Sequence, residues 1–107
     1  MSPRADAATP PLSPAVAALI ARRRALVGRL KEALIGSLDL PLAPDEIDED
    51  EPLFGIGLGL DSIDALQLVL GVEAAFEVTL PPDDLMIYRS INTLADHLTA
   101  VDARPVA

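Results

Sequence analysis

The sequence predicts an all-α protein, for two reasons. Half of its 107 residues are hydrophobic, yet the only aromatic residues are Phe54, Phe76 and Tyr88, and alanine and leucine supply most of the rest. This composition favours helices over sheets. Apolar residues also recur at helical spacing in separate stretches, with prolines between them. We therefore expect a single four-helix bundle of three longer helices and one short one, with a long loop between helices 1 and 2.

The first helix should begin near Pro14, because Ser13 can cap it and proline suits the first helical position. An apolar stripe then continues until Pro41 and predicts a long helix, held only thinly before Ala25. The stripe consists of Leu19, Ile20, Leu26, Val27, Leu30, Ala33, Leu34 and Leu38. Residues 1–13 and 103–107 are predicted to be disordered tails on either side of a single domain, residues 14–102.

Residues 41–60 show no helical or strand period, and their three prolines and three glycines exclude a long element. A connection of this length is uncommon unless it is functional or disordered. We expect Leu53, Phe54 and Leu58 to hold it against the core. The acidic run over residues 45–51 lacks the spacing of a calcium-binding EF-hand loop. A solvated acidic loop is the favoured interpretation, with a diffuse divalent-ion site as the alternative.

The second helix should extend from Ser62 to about Val78, and it has two apolar faces. The core face consists of Ala65, Leu68, Val69, Val72 and Phe76, and the opposite face of Ile63, Leu66 and Leu70 beside Gln67, Glu73 and Glu77. A helix in a small bundle cannot bury both faces, so the second is predicted to be a docking surface. The alternative is that Leu66 and Leu70 lie under the acidic loop.

Two further elements are predicted near the C-terminus. A short helix should cover residues 82–86, and a last helix should follow Ser90 as its N-cap. The stripe of that last helix is Ile91, Leu94, Ala95, Leu98 and Val101. His97 has no cysteine or second histidine to join it, so we interpret it as a surface residue rather than a metal ligand or a base.

The net charge of −9 is unevenly distributed along the chain. From residue 32 to residue 88 there are fourteen acids and no base, whereas residues 1–31 hold six bases and one acid. This argues against nucleic-acid binding and favours partners with basic docking surfaces. Three consecutive arginines, Arg22 to Arg24, spread around the helix and are interpreted as a solvated face. No signal peptide or membrane span is readable, so we expect a cytoplasmic monomer without membrane contact.

The functional site is predicted to lie where a glycine-containing loop meets the second helix. Asp61 and Ser62 both suit a helix N-terminus, and one of them should be the cap. An anion attached to a first-turn hydroxyl would be favoured by the helix dipole. The residues alone therefore leave two interpretations of Ser62: a cap, or a residue that carries a modification.

The run Leu58-Gly59-Leu60-Asp61-Ser62-Ile63-Asp64-Ala65-Leu66 resembles the prosthetic-group attachment site of acyl carrier proteins, and a weaker resemblance extends from about Leu26 to Val101. It implies that Ser62 carries a covalent 4'-phosphopantetheine from coenzyme A, and that Asp61 caps the helix and helps to orient the transferase's metal. It also implies that the protein is a carrier without catalytic activity, in a fatty-acid, polyketide or polyene type of biosynthetic system. The implied partners are a phosphopantetheinyl transferase and acyl-loading and ketosynthase-type enzymes, docking on Ile63, Leu66, Gln67, Leu70 and Glu73.

Two other functions were weighed. A serine hydrolase with Ser62 as nucleophile would need a base and an oxyanion hole, but there is no Gly-x-Ser-x-Gly motif and the single histidine lies on another helix. A non-catalytic helical interaction module, in which Ser62 is only a helix cap, is the remaining alternative.

Overall fold

The computed structural model describes residues 13–55 and 57–105. Within them lie three α-helices, α1 (Pro14–Leu38), α2 (Ser62–Phe76) and α3 (Ile91–Ala100), and two 3₁₀ turns, Pro44–Glu46 and Leu85–Tyr88. The all-α prediction is confirmed, and the second 3₁₀ turn takes the place of the short helix. Residues 1–12, most of the predicted N-terminal tail, lie outside the described residues. No helix in the described ranges is long and apolar enough to span a bilayer.

Helix α1 begins and ends where the sequence predicts. The Ser13 hydroxyl accepts a hydrogen bond from the Val16 N–H at 3.2 Å, and the helix ends at Asp39, which adopts a left-handed conformation with φ 52°. Helix α1 packs against both α2 and α3, so it is the central element of the bundle. It approaches α2 most tightly at Gly71, where a Cβ atom would overlap the side chain of Ser37.

The core consists of residues from the three helices and from the segments between them. The buried apolar residues are Leu26, Val27, Leu30, Leu34, Ile47, Leu53, Leu60, Leu68, Val72, Phe76, Leu80, Tyr88, Ile91, Leu94, Ala95 and Leu98. Leu53 is fully buried, and Phe54 and Leu58 are half-buried against the core, so the predicted anchors of the long loop are confirmed. Ile47 and Leu60 also anchor this loop, a role that the sequence did not predict.

Polar contacts hold the acidic part of the long loop against α1 and α3. The Lys31 ammonium, on a largely buried side chain, donates to the Glu49 carboxylate at 2.9 Å. This hydrogen bond holds the pKa of Glu49 below its ordinary value of 4.5. The Asn92 side chain donates to the Asp50 carboxylate at 2.6 Å, and the Asn92 N–H donates to the Glu49 carbonyl at 2.9 Å. The loop is therefore fixed at its acidic stretch as well as by its apolar anchors.

Two predicted boundaries near the end of α2 are wrong. The helix ends at Phe76 rather than near Val78, because Glu77 turns into the left-handed region with φ 50°. The short helical turn covers Leu85–Tyr88 rather than residues 82–86. The turn begins later because Asp84, with φ −95° and ψ 85°, is still outside the helical region.

Three residues predicted to belong to core stripes are exposed instead. Val101 is 52 % exposed, and α3 ends one residue before it, at Ala100. Leu19 and Ile20 are 61 % and 38 % exposed. They lie in the part of α1 before Ala25, where the helix was expected to be thinly held.

Candidate functional site

The glycines of the loop that leads to α2 are required for two different reasons. Gly55 and Gly59 both have φ 73°, a left-handed conformation in which a side chain would be strained. At Gly57 the backbone passes so close to Pro52 that a Cβ atom would overlap the Pro52 carbonyl. The alternating glycines are therefore required by a folded turn.

Backbone hydrogen bonds fix the end of this turn directly before the helix. The Leu60 N–H donates to the Leu53 carbonyl at 3.1 Å, and the Leu53 N–H donates to the Arg89 carbonyl at 3.0 Å. Leu60 itself is buried, with 7 % of its surface exposed. Asp61, the residue after Leu60, therefore has a fixed position at the surface, and α2 begins directly after it.

Asp61 is the N-cap of α2, which decides between the two candidate caps. One of its carboxylate oxygens accepts from the N–H groups of Ile63 and Asp64, both at 3.0 Å. The Asp64 carboxylate in turn accepts from the Asp61 N–H at 3.0 Å, completing a reciprocal capping box. The interpretation of Ser62 as only a helix cap is therefore wrong.

Ser62 is the first residue of α2 and is exposed. Among the described residues, none makes a hydrogen bond with its hydroxyl. The hydroxyl is free to react, and it lies at the helix end that favours an attached anion. A phosphodiester on this oxygen would replace no existing contact, so the site fits a phosphate-linked group.

The second face of α2 is exposed, as predicted. Ile63, Leu66 and Leu70 are 69 %, 61 % and 56 % exposed, and Gln67 beside them is exposed too. The alternative, that Leu66 and Leu70 lie under the acidic loop, is wrong. Glu73 is half-buried, and its carboxylate accepts from the Leu80 N–H at 2.7 Å. This contact ties the chain after α2 back onto the helix.

Two features of the site were missed by the sequence reasoning. Asp64 lies three residues after the cap and completes the capping box, a spacing that the sequence displays. Leu85 and Met86 are 76 % and 65 % exposed and form a second apolar surface on the 3₁₀ turn. In the part of the chain that the structure describes, no cluster of three or more histidine, aspartate or glutamate side chains is arranged to hold a metal ion.

Comparisons with known proteins agree with this site. The family model described as "Phosphopantetheine attachment site" matches residues 28–98. The chain is 32 % identical over 78 residues to an acyl carrier protein of Sulfurovum sp. (strain NBC37-1), covering 73 % of this chain and 96 % of that protein. It is 39 % identical over 41 residues to an acyl carrier protein of Syntrophobacter fumaroxidans (strain DSM 10017 / MPOB), covering 38 % of this chain and 51 % of that protein. No solved structure gives a significant match.

The fold and the matched region together define a small helical carrier with a phosphopantetheine attachment site. The chain belongs to the acyl carrier protein family. Its cofactor is a covalently attached 4'-phosphopantetheine. Its role is to carry acyl chains to biosynthetic enzymes, and it is not itself an enzyme.

Proposed function

We propose that Ser62 is the residue to which 4'-phosphopantetheine is attached and that the chain carries acyl intermediates as thioesters on that arm. The observation that carries this proposal is that Asp61, and not Ser62, caps the start of α2. Asp61 satisfies the backbone N–H groups of the helix end, which leaves the exposed Ser62 hydroxyl without a structural task.

The arm would supply chemistry that this chain lacks. The sequence contains no cysteine, so it has no thiol of its own to form a thioester. When bound, 4'-phosphopantetheine provides that thiol. The Ser62 oxygen would hold the phosphate, and the positive end of the α2 dipole would favour its negative charge. Asp61 would keep the helix end in place and help to orient the metal of a phosphopantetheinyl transferase.

The exposed face of α2 would receive the partner enzymes. Ile63, Leu66 and Leu70 offer an apolar strip next to the attachment residue, and Gln67 and Glu73 edge it. Acids outnumber bases throughout the surrounding sequence, so partners with basic docking surfaces would be attracted. We infer that these partners are a phosphopantetheinyl transferase and acyl-loading and ketosynthase-type enzymes of a fatty-acid, polyketide or polyene system.

Intact mass spectrometry tests this assignment. The purified protein is incubated with coenzyme A, magnesium and a broad-specificity phosphopantetheinyl transferase. The wild type should gain the mass of one phosphopantetheine and one titratable thiol. Ser62→Ala and Ser62→Asp should gain neither while remaining folded by circular dichroism.

Ser13→Ala is the matched control, because Ser13 is also an exposed serine at the start of a helix. It should be modified like the wild type. Modification of Ser62→Ala to the wild-type extent would contradict the assignment of Ser62.

A further inference from the structure

Helix α1 extends beyond the core of the bundle at its N-terminal end. Its 25 residues rise about 38 Å, whereas the 15 residues of α2 rise about 22 Å. The first residue of α1 that is buried in the core is Leu26. The segment Pro14–Arg24, called here the overhang, therefore extends about three turns, or about 16 Å, beyond the packed core.

The overhang continues the core-facing stripe of α1, and no element among residues 13–55 and 57–105 covers this continuation. Leu19 and Ile20 precede the buried Leu26 and Val27 by seven positions, so they lie on the same side of the helix. Together with Val16, which is 42 % exposed, they form an apolar strip. Below them Arg23 closes the end of the bundle, donating to Asp96 at 2.9 Å. Beyond this ion pair the strip is exposed, with the chain that follows α3 beside Leu19.

A groove beside the strip provides a place for an inserted side chain. It lies between α1 and the chain that follows α3, and its volume is about 440 Å³. Its apolar walls come from Leu19, Ala25, Leu26, Ala103 and Pro105, with Arg22 and Arg104 at the sides. The Arg104 guanidinium lies 3.5 Å from the Asp102 carboxylate.

The charge of the overhang is opposite to that of the rest of the molecule. The overhang contains three bases, Arg22, Arg23 and Arg24, and no acid, in a chain of net charge −9. On the helix, Arg22 and Arg24 lie on either side of the strip that contains Leu19 and Ile20. Neither arginine has an ion pair or hydrogen bond among the described residues. The sequence alone indicated that these arginines form a solvated face. The exposed apolar strip between them gives that face a surface on which a partner can pack.

We propose that the overhang is a second docking surface, distinct from the α2 face, and that its partner is an acidic amphipathic helix of another protein. A helical strip with apolar residues at i, i+3 and i+4 packs best against another helix with the same periodicity. Arginines on both flanks select a helix whose apolar seam is bordered by carboxylates. The partners proposed for the Ser62 face are basic, so the two surfaces would recruit partners of opposite charge.

Two other occupants fit the overhang less well. A second copy would bring an identical overhang with the same arginines, and like charges would meet across the contact. An anionic membrane would attract the arginines as an acidic helix would. However, three exposed apolar side chains offer little area for insertion into a bilayer.

A designed peptide tests the proposal without knowledge of the natural partner. The probe is a labelled helical peptide of about three heptads with leucine at a and d and glutamate at e and g. Its comparison peptide has the same leucines with lysine in place of glutamate. Fluorescence anisotropy should show saturable, salt-sensitive binding of the glutamate peptide to the full chain, and about ten-fold weaker or no binding of the lysine peptide.

Variants then locate the contact. Leu19→Gln and the double variant Arg22→Glu with Arg24→Glu should each weaken binding by about ten-fold or more. Leu70→Gln is the matched control, since Leu70 is exposed to a similar extent on α2, and it should bind like the wild type. Leu19→Gln should still be phosphopantetheinylated, so failure of this proposal is distinguishable from failure of the Ser62 assignment.

Four results would overturn the proposal. The first is equal binding of both peptides, and the second is loss of binding in Leu70→Gln but not in Leu19→Gln. The third is that the wild type forms a dimer and Leu19→Gln is a monomer. The fourth is binding to vesicles of anionic phospholipid that is lost in Leu19→Gln, without binding of the glutamate peptide.

Discussion

The start of α2 makes a quantitative prediction, because two adjacent side chains have opposite roles there. Asp61→Ala removes an acceptor shared by two backbone N–H groups at 3.0 Å, and loss of such a cap costs about 0.5–2 kcal/mol of unfolding free energy. Ser62→Ala removes an exposed hydroxyl without a hydrogen bond. Alanine is the better helix former by up to about 0.5 kcal/mol, so this variant should be as stable as the wild type or slightly more stable.

Urea denaturation followed by circular dichroism at 222 nm measures both changes. The midpoint should fall for Asp61→Ala and remain or rise for Ser62→Ala, so the two variants should differ by about 0.5–2.5 kcal/mol. Asp61→Asn is the control, because an asparagine oxygen can still accept the two hydrogen bonds, and it should stay close to the wild type. If Ser62→Ala loses as much stability as Asp61→Ala, Ser62 has a structural role and the assignment of the cap to Asp61 is wrong.

Three further predictions concern packing and the loop anchor. Gly71→Ala should destabilise by about 1–3 kcal/mol through overlap with α1, whereas Gly36→Ala, with open space around it, should stabilise by about 0.5–1 kcal/mol. Leu70→Lys should change stability by less than about 0.5 kcal/mol, whereas Phe76→Ala should cost about 3–5 kcal/mol. Lys31→Met should remove the hydrogen bond that lowers the pKa of Glu49. In the wild type, the stability from this hydrogen bond is lost as the pH falls below 4.5, and the variant should lack that loss.

Each of these predictions has a result that contradicts it. The α1–α2 contact is misjudged if the two glycine variants change the urea midpoint equally. The α2 face is buried if Leu70→Lys unfolds as readily as Phe76→Ala. The loop anchor is unimportant if Lys31→Met and the wild type lose the same stability as the pH falls from about 5 to about 3.

The sequence predicted the helices well where local signals agree. Ser13 and Pro14 mark the start of α1 because capping and the missing proline N–H are local effects. The two faces of α2 were separable because one small bundle can bury only one of them. The motif around Ser62 could be compared with a known family because it is short and continuous in sequence.

Other features depend on contacts between distant residues and could not be predicted. The end of α2 at Phe76 depends on Glu77 accepting a left-handed conformation, which its residue type does not favour. The fully buried Ile47 and the ion pair of Lys31 depend on how the long loop folds back on α1. The residue types alone leave the cap open between Asp61 and Ser62, because aspartate and serine are almost equally good caps, and the hydrogen-bond geometry decides for Asp61.

Peptide mapping of the modified wild type tests the central claim most directly. Trypsin leaves Ser37 and Ser62 on one long peptide, because no lysine or arginine lies between Lys31 and Arg89, so a second cleavage at acidic residues is needed to separate the two serines. Tandem mass spectrometry should then locate the phosphopantetheine on the peptide that contains Ser62 and on no other. Phosphopantetheine on the Ser37 peptide, or a folded wild type that several transferases leave unmodified, would contradict the assignment of Ser62 as the attachment residue.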